Sequence, residues 1–322
     1  MTSVIRAAAT SSPIRALAAL GLAAALAIGG IAAGTGDHAS ADGDALAVRD
    51  PGGWVTWWRR SDAPVRWGTE APLAGRVAWR AGAPGVEWGE LLLRGASEAW
   101  RTRLVVVRLD PRRVGLSLAT AFTANTGWTL ADADSGAVLA LDAGQFRQAL
   151  PWGWVVSGGR EILAPEYAPL AGAVVVDAAG TVRVVPPDGV AAERAGGTAR
   201  EAFQSYPMLL QDGQVPAALV EAGRGVDLEH RDARLALGTL ADGRVVIALT
   251  RFDALGGVLG RVPFGLTSAE MAAVMGALGS RQALLLDGGI SGQLLLREPG
   301  GGTRQWPGTR SVPLGLVGRA RP

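Results

Sequence analysis

The 322-residue sequence contains no cysteine and no lysine, and it has only two histidines. The absence of cysteine excludes disulfides, thiolate zinc sites and a cysteine nucleophile. The strongly basic side chains are therefore all arginine, whose high pKa explains a sequence pI of about 9.8 at a formal net charge of only +2. Because no basic run or stripe occurs, the charge pattern does not favour a nucleic-acid partner. The hydrophobic content of 48% is that of a well-packed globular body.

The N-terminal residues have the pattern of a targeting segment. Arg6 and Arg15 precede an apolar run over residues 16–33, and residues 39–41 (Ala-Ser-Ala) supply the small side chains of a signal-peptidase site. The run is also near the length of a membrane span, so an uncleaved anchor is the alternative to a signal peptide. The membrane is a partner only in that case. We predict that residues 1–41 direct the protein to the periplasm, the cell envelope or the medium. An exported chain without cysteine favours a bacterial source.

Residues 42–100 are rich in tryptophan, arginine, proline and glycine. Their tryptophans are Trp54, Trp57, Trp58, Trp67, Trp79, Trp88 and Trp100. No strand or helix period organises this segment, so we predict a loosely structured lead-in whose tryptophans pack against a main domain at residues 101–322. A role for these side chains in stacking on sugars is the alternative.

The rest of the chain reads as short strands joined by turn residues. Alternating apolar residues around glycine-containing turns predict hairpins over residues 155–163, 173–185, 207–215 and 234–250. Thr267 and Glu270 form the capping box of a helix that ends near Gly279. We therefore predict a single α+β domain with largely antiparallel twisted sheets and flanking helices.

Two aspartates stand where a buried strand stops. Asp142 follows the apolar residues 138–141, and Asp287 follows Leu-Leu-Leu at 284–286. Glycines follow both aspartates, and glycine lets the backbone turn and lets a ligand approach the main chain closely. A turn cap is the simpler role for an aspartate in this position.

The order of these landmarks resembles that of the phosphodiester glycosidase family. Gly-Leu-Thr, a helix and a strand ending in Leu-Asp-Gly-Gly-x-Ser occur here over residues 265–291. Residues 142–146 stand where the family has an Asn-Gly-Gly-Phe motif. Residues 231–238 resemble its Arg-x-Pro-Arg-Thr-Ala-x-Gly run. The resemblance covers residues 104–317 and implies a hydrolase that cleaves the bond between a sugar and a phosphodiester in an envelope or extracellular glycan.

The resemblance also implies which residues act. Asp287 is the main catalytic carboxylate, Asp142 is a second one if both strand ends open onto one cleft, and Arg234 clamps the phosphate. A surface ion pair is the alternative for Arg234. Substrate-binding residues are expected at Gly144, Phe146, Arg231, Gly288, Gly289 and Ser291. No cofactor is implied, but a carboxylate-bound Ca²⁺ or Mg²⁺ stays open. A histidine-based zinc site is excluded because His230 is the only histidine after residue 41.

Several positions depart from the family pattern. Asp142, Leu235, Leu285 and Gly292 each remove or change a polar group of the family's motifs. Either the substrate differs from that of the family, or the site is degenerate. A non-catalytic, glycan-binding member of the family is therefore the alternative function. A serine hydrolase is disfavoured because residues 289–293 lack the second glycine of a nucleophile elbow.

Overall fold

The computed structural model describes residues 45–68, 70–95, 101–254 and 259–321. The predicted targeting segment lies outside these residues. No helix within the described ranges is long and apolar enough to cross a bilayer. All the described residues belong to one compact unit.

Strands dominate the described part of the chain. In order they are β1 (Ala45–Asp50), β2 (Gly53–Arg59), β3 (Arg80–Ala81), β4 (Val86–Arg94), β5 (Arg101–Leu109), β6 (Val114–Ala119), β7 (Ala137–Asp142), β8 (Phe146–Arg147), β9 (Leu150–Pro151), β10 (Val155–Ser157), β11 (Arg160–Leu163), β12 (Gly172–Asp177), β13 (Val182–Val185), β14 (Ala199–Ser205), β15 (Met208–Leu210), β16 (Leu235–Leu240), β17 (Val245–Phe252), β18 (Ser280–Leu285), β19 (Leu294–Arg297), β20 (Thr303–Trp306) and β21 (Gly315–Ala320). The α-helices are α1 (Val190–Gly196) and α2 (Ser268–Ala277).

Three larger sheets and one small hairpin organise these strands. A nine-stranded sheet has the order β15-β18-β16-β17-β5-β4-β1-β2, with β3 paired to β4. Two five-stranded sheets have the orders β20-β19-β7-β21-β6 and β11-β10-β14-β12-β13, and β8 pairs with β9. Neighbouring strands run antiparallel, for example β5 against β17 and β7 against β21. The predicted α+β fold with largely antiparallel sheets is confirmed.

Three of the four predicted hairpins are confirmed. β10 pairs with β11, β12 with β13, and β16 with β17. The hairpin predicted over residues 207–215 forms only at its turn, where Gln211 and Gln214 exchange two main-chain hydrogen bonds, and β15 itself pairs with β18. The strand after that turn is diverted by the lead-in, since the amide of Val215 donates to the carbonyl of Val65 at 3.0 Å.

The tryptophan-rich segment is not loosely structured. Its strands β1, β2 and β4 extend the nine-stranded sheet, and β4 pairs with β5 along its whole length. The boundary predicted at residue 100 therefore falls between two paired strands. The expectation that its tryptophans pack inward is correct for Trp58, Trp67 and Trp88, which are buried. Trp100 lies outside the described residues.

The nine-stranded sheet has an apolar core on each face. On one face, side chains such as Val105 and Leu284 pack against the two smaller sheets, including Leu139 and Val174. On the other face, Val106 joins the cluster around α2. Successive residues of β5 thus enter opposite cores, as the two-residue period of a strand requires. The sheet is consequently covered on both sides.

Helix α2 is the predicted capped helix, and every one of its residues is buried. The Glu270 amide donates to Thr267 Oγ1 at 3.2 Å, and the Thr267 amide donates to Glu270 Oε2 at 2.9 Å. This reciprocal pair satisfies amides that the first helical turn leaves unbonded. Gly279, at φ +92°, stops the helix before β18 begins. The capping box therefore fixes where the chain enters the strand that leads to Asp287.

Gly276 of α2 gives a test of how tightly the lead-in is packed. A Cβ at this position would lie 2.2 Å from Trp67 Cγ, so Gly276→Ala forces the buried indole to move. Alanine favours helix over glycine by about 1 kcal/mol, whereas overpacking costs about 1–3 kcal/mol. We expect a net loss of stability on denaturant unfolding. In Gly196→Ala, where a Cβ meets nothing within 4 Å, stability should hold or rise. A gain in both variants would contradict the packing of Trp67 on α2.

Candidate active site

The candidate site lies where strand ends from two sheets meet. β7, in a five-stranded sheet, ends at Asp142, and β18, in the nine-stranded sheet, ends just before Leu286 and Asp287. The amide of Asp287 donates to the carbonyl of Ala143 at 3.1 Å, which joins the two strand ends. The structure thus brings together the two aspartates that the sequence singled out.

Asp142 is fully buried, and only one of its two carboxyl oxygens has a hydrogen-bond partner. Its Oδ1 accepts from the Gln293 amide at 2.7 Å, whereas its Oδ2 is buried without a hydrogen-bond partner. Burial, followed by the charge of Asp287, raises the pKa of Asp142 well above its ordinary value. The Gln293 amide and the Arg251 charge lower the pKa, but by less. Burial thus disfavours the charged form of Asp142.

Asp287 lies nearer the surface, with 18% of its side chain exposed. Burial raises its pKa, while Ser291 and Arg310 oppose that rise and Asp232 adds to it. The two carboxyls thus stand in different environments, Asp142 fully buried and Asp287 partly exposed beside Arg310.

Arg310 lies beside Asp287 and Ser291, where the site opens to solvent. Its Nε donates to Ser291 Oγ at 2.7 Å, and its Nη2 lies 3.9 Å from Asp287 Oδ2. The guanidinium stacks 4.6 Å above the ring of Phe146. Nearly half of the side chain, 46%, is exposed. Sequence reasoning missed Arg310 because it belongs to no motif, and only the fold brings it back beside Ser291.

Arg234 and Arg231 are held mainly by hydrogen bonds to other groups of the protein. Arg234 is buried, and its Nε and Nη2 donate to the carbonyls of Leu266 and His230 at 2.8 and 2.7 Å. Burial lowers the pKa of Arg234, although Asp232 and Glu270 raise it. Arg231 forms a bidentate pair with the buried Glu270 at 2.7 and 2.9 Å. Both arginines thus tie the start of β16 to the capped start of α2.

Arg251 is a second residue that sequence reasoning missed. It is buried at the end of β17, and its Nη2 donates to the carbonyls of Gly292 and Trp306. Burial lowers the pKa of Arg251 to about 10, and the charge of Asp142 opposes that fall. Arg251 therefore stays cationic at neutral pH and holds the turn after Asp287 in place. Its isolated position within β17 gave no sequence signal.

The small residues of both motifs shape the turns. A Cβ on Gly144 would lie 2.2 Å from the Gln204 carbonyl oxygen, and a Cβ on Gly288 would lie 2.5 Å from that of Ala233. Gly289 has φ +56°, and its amide donates to the Ala233 carbonyl at 2.7 Å. Ser291 is fully buried and orients Arg310. These positions need small side chains because the main chains approach closely.

A pre-formed metal centre is not evident. Within the described ranges, no group of three or more histidine, aspartate or glutamate side chains is arranged to hold a metal ion. The described carboxyls at the strand ends lie instead beside arginines, Asp142 near Arg251 and Asp287 near Arg310. A requirement for Ca²⁺ or Mg²⁺ stays a prediction.

The burial of Asp142 gives a pH-dependent prediction. The pKa of Asp142 is higher in the folded chain than in the unfolded chain. The stability that its neutral form contributes is therefore fully present below the unfolded pKa. That stability is lost as the pH rises through the folded pKa. Asp142→Asn cannot ionise and keeps an acceptor for the Gln293 amide. We expect the difference in Tm between Asp142→Asn and the wild type to shift in favour of the variant as the pH rises from 4 to 8.

Asp134 supplies a control of opposite sign. Arg319 lowers the pKa of the exposed Asp134, so the stability that its charge contributes is present throughout this range and is lost only as the pH falls below it. The Tm of Asp134→Asn should therefore stay below that of the wild type by a nearly constant amount between pH 4 and pH 8. A pH-independent difference for Asp142→Asn, measured by thermal unfolding, would show that Asp142 is ionised in the fold.

Comparison with known proteins places these features in a family. Residues 135–317 match the sequence profile of phosphodiester glycosidases. No curated protein matches the chain. The fold is similar to the catalytic domain of zebrafish N-acetylglucosamine-1-phosphodiester alpha-N-acetylglucosaminidase, auto-inhibited by its pro-peptide, with a TM-score of 0.54 at 15% identity over 81% of this chain and 92% of that one.

A hypothetical protein from Synechocystis is similar as well. Its TM-score is 0.52 at 16% identity, over 83% of this chain and 66% of that one. At such identities the solved structures support the fold alone. The family profile, however, spans more than half of the sequence and includes Asp142, Arg234, Asp287 and Arg310. The chain therefore belongs to the phosphodiester glycosidase family.

Proposed function

We propose that the protein is an exported hydrolase that cleaves a glycosidic phosphodiester bond and releases the sugar from an envelope or extracellular glycan. The observation that carries the proposal is the pairing, 3.9 Å apart, of a partly exposed carboxylate, Asp287, with a partly exposed guanidinium, Arg310. Cleavage of a sugar phosphodiester at the anomeric carbon needs a carboxylate for proton transfer and a cation for the phosphate. Export rests on the pattern of residues 1–41.

Asp287 acts as the general base in this proposal. It takes a proton from a water molecule whose oxygen bonds to the anomeric carbon. The bond between that carbon and the phosphate oxygen breaks, and its electron pair leaves with the phosphate. Because a phosphate monoester is a weakly basic leaving group, holding its charge matters more than protonating it. Arg310 supplies the fixed positive charge for that purpose.

The other predicted catalytic residues take supporting roles. Asp142 is fully buried, so we assign it to holding the turn after Asp287 through the Gln293 amide. Because burial disfavours the charged form of Asp142, it adds less negative charge beside Asp287. Arg234 gives two of its donor groups to main-chain carbonyls, so we assign the phosphate clamp to Arg310.

A non-catalytic glycan-binding protein is the alternative. In that case affinity for glycan would depend on tryptophans of the lead-in. Trp58, however, is only 6% exposed and belongs to the core beside α2, where Trp57 packs against it. These two side chains are poorly placed to stack on a sugar, which favours the hydrolase.

The test is release of sugar from N-acetylglucosamine 1-(methyl phosphate) by the purified protein. Asp287→Asn keeps the shape of the side chain and removes the base, so kcat should fall by roughly 10²–10⁴-fold. Its Tm should hold or rise slightly, because burial disfavours the charged form of Asp287. Arg310→Lys keeps a charge but loses the planar fork, and KM should rise about tenfold.

Arg304→Lys is the matched control. Arg304 is 45% exposed and stacks 4.7 Å from the ring of Trp88, but it pairs with Glu298 away from Asp287. Its kinetics should equal those of the wild type. Undiminished turnover in Asp287→Asn contradicts the assigned base. The absence of sugar release by the wild type from a panel of sugar 1-phosphodiesters contradicts the hydrolase.

A further inference from the structure

A cavity lies beside the candidate active site and shares Phe146 with it. Its volume is about 350 Å³, within the usual range for small-molecule pockets. It is lined by Gln145, Phe146, Arg147, Trp152, Ala168, Pro169, Leu170, Tyr206, Arg224 and Gly225. No step of the proposed reaction uses this space.

The hairpin of β8 and β9 builds the aromatic wall of the cavity. Phe146 pairs with Pro151, and the amide of Trp152 donates to the carbonyl of Gln145 at 2.9 Å, which fixes both rings on one short element. Tyr206 adds a third ring, and the side chain of Gln145 donates to its carbonyl. Flat aromatic faces beside an amide suit a ligand with an apolar face and a polar edge.

The charges at the rim are already balanced. Arg147 lies 3.9 Å from Glu166, and Arg224 lies 2.8 Å from Glu221. The cavity therefore offers no strong excess of positive charge to attract an anion. It contrasts in this respect with the neighbouring Arg310, whose guanidinium is the group placed to take the phosphate. An uncharged ring with hydroxyl groups is the better match.

We propose that this cavity binds a pyranose ring of the phosphodiester substrate, which makes the site specific for a sugar on that side of the phosphate. The proposal rests on the proposed function. Phe146 connects the cavity to the candidate active site, because it lines the cavity and its ring lies 4.6 Å from the Arg310 guanidinium. A phosphate held by Arg310 beside Asp287 thus places an attached ring against Phe146 and Trp152.

Binding to the Asp287→Asn variant tests the cavity without any need for turnover. The probes are N-acetylglucosamine 1-(methyl phosphate), with one ring, and N-acetylglucosamine 1-(mannos-6-yl phosphate), with two, titrated calorimetrically. Adding Trp152→Leu keeps an apolar side chain but removes the flat face, and Kd should rise about tenfold. Trp152→Phe, which keeps a ring, should show a smaller rise. The control is Tyr167→Leu, because Tyr167 is 88% exposed and outside this cavity.

Weaker binding of both probes to the Trp152→Leu variant supports a cavity that holds the released sugar. Weaker binding of the two-ring probe alone supports a cavity that holds the second sugar, the one that stays on the phosphate after cleavage. Unchanged Kd values in a variant with the Tm of its parent overturn the proposal, as does the absence of binding of either probe. If the wild type releases no sugar and Trp152-dependent binding persists, the hydrolase fails and the sugar site stands.

Discussion

The site depends on one junction between two sheets. The ends of β7 and β18 meet through the hydrogen bond from the Asp287 amide to the Ala143 carbonyl, deep between apolar layers. Polar groups there are costly unless they find partners, because an unpaired buried group costs about 1–3 kcal/mol, and Asp142 Oδ2 and Asp287 Oδ2 are buried without a hydrogen bond. Arg251, Arg234 and Gln293 supply many of those partners by bonding main-chain carbonyls or the Asp142 carboxyl. The turns that carry Asp287 are thereby held rigid.

That junction also separates the charges by depth. Asp142 is the innermost carboxyl, and burial disfavours its charged form, whereas Asp287 is partly exposed beside the exposed guanidinium of Arg310. The reactive groups proposed here are thus the outer ones, and the inner ones fix their geometry. Such a division gives preorganisation, in which the site is set before substrate arrives and little reorganisation is needed during reaction. Phe146 extends the same opening into the cavity beside it.

Local features were the ones that could be predicted from the sequence. The capping box of Thr267 and Glu270, the glycine turns and the two aspartates at strand ends depend on residues close together in the chain. Arg310 and Arg251 could not be found in this way, because they belong to no motif and the partners that hold them lie 19 to 164 residues away. The lead-in was misjudged for a similar reason. β1 is ordered by its pairing with β2 and β4, not by a pattern of its own.

The most direct measurement is a crystal structure of the Asp287→Asn variant with N-acetylglucosamine 1-(methyl phosphate). The predicted result places phosphate oxygens within hydrogen-bond distance of Arg310, the anomeric carbon beside the residue at position 287, and Arg234 still bonded to the carbonyls of His230 and Leu266. A phosphate bound by Arg234, or a ligand bound away from Phe146 and Arg310, would contradict the assignment of this opening as the active site.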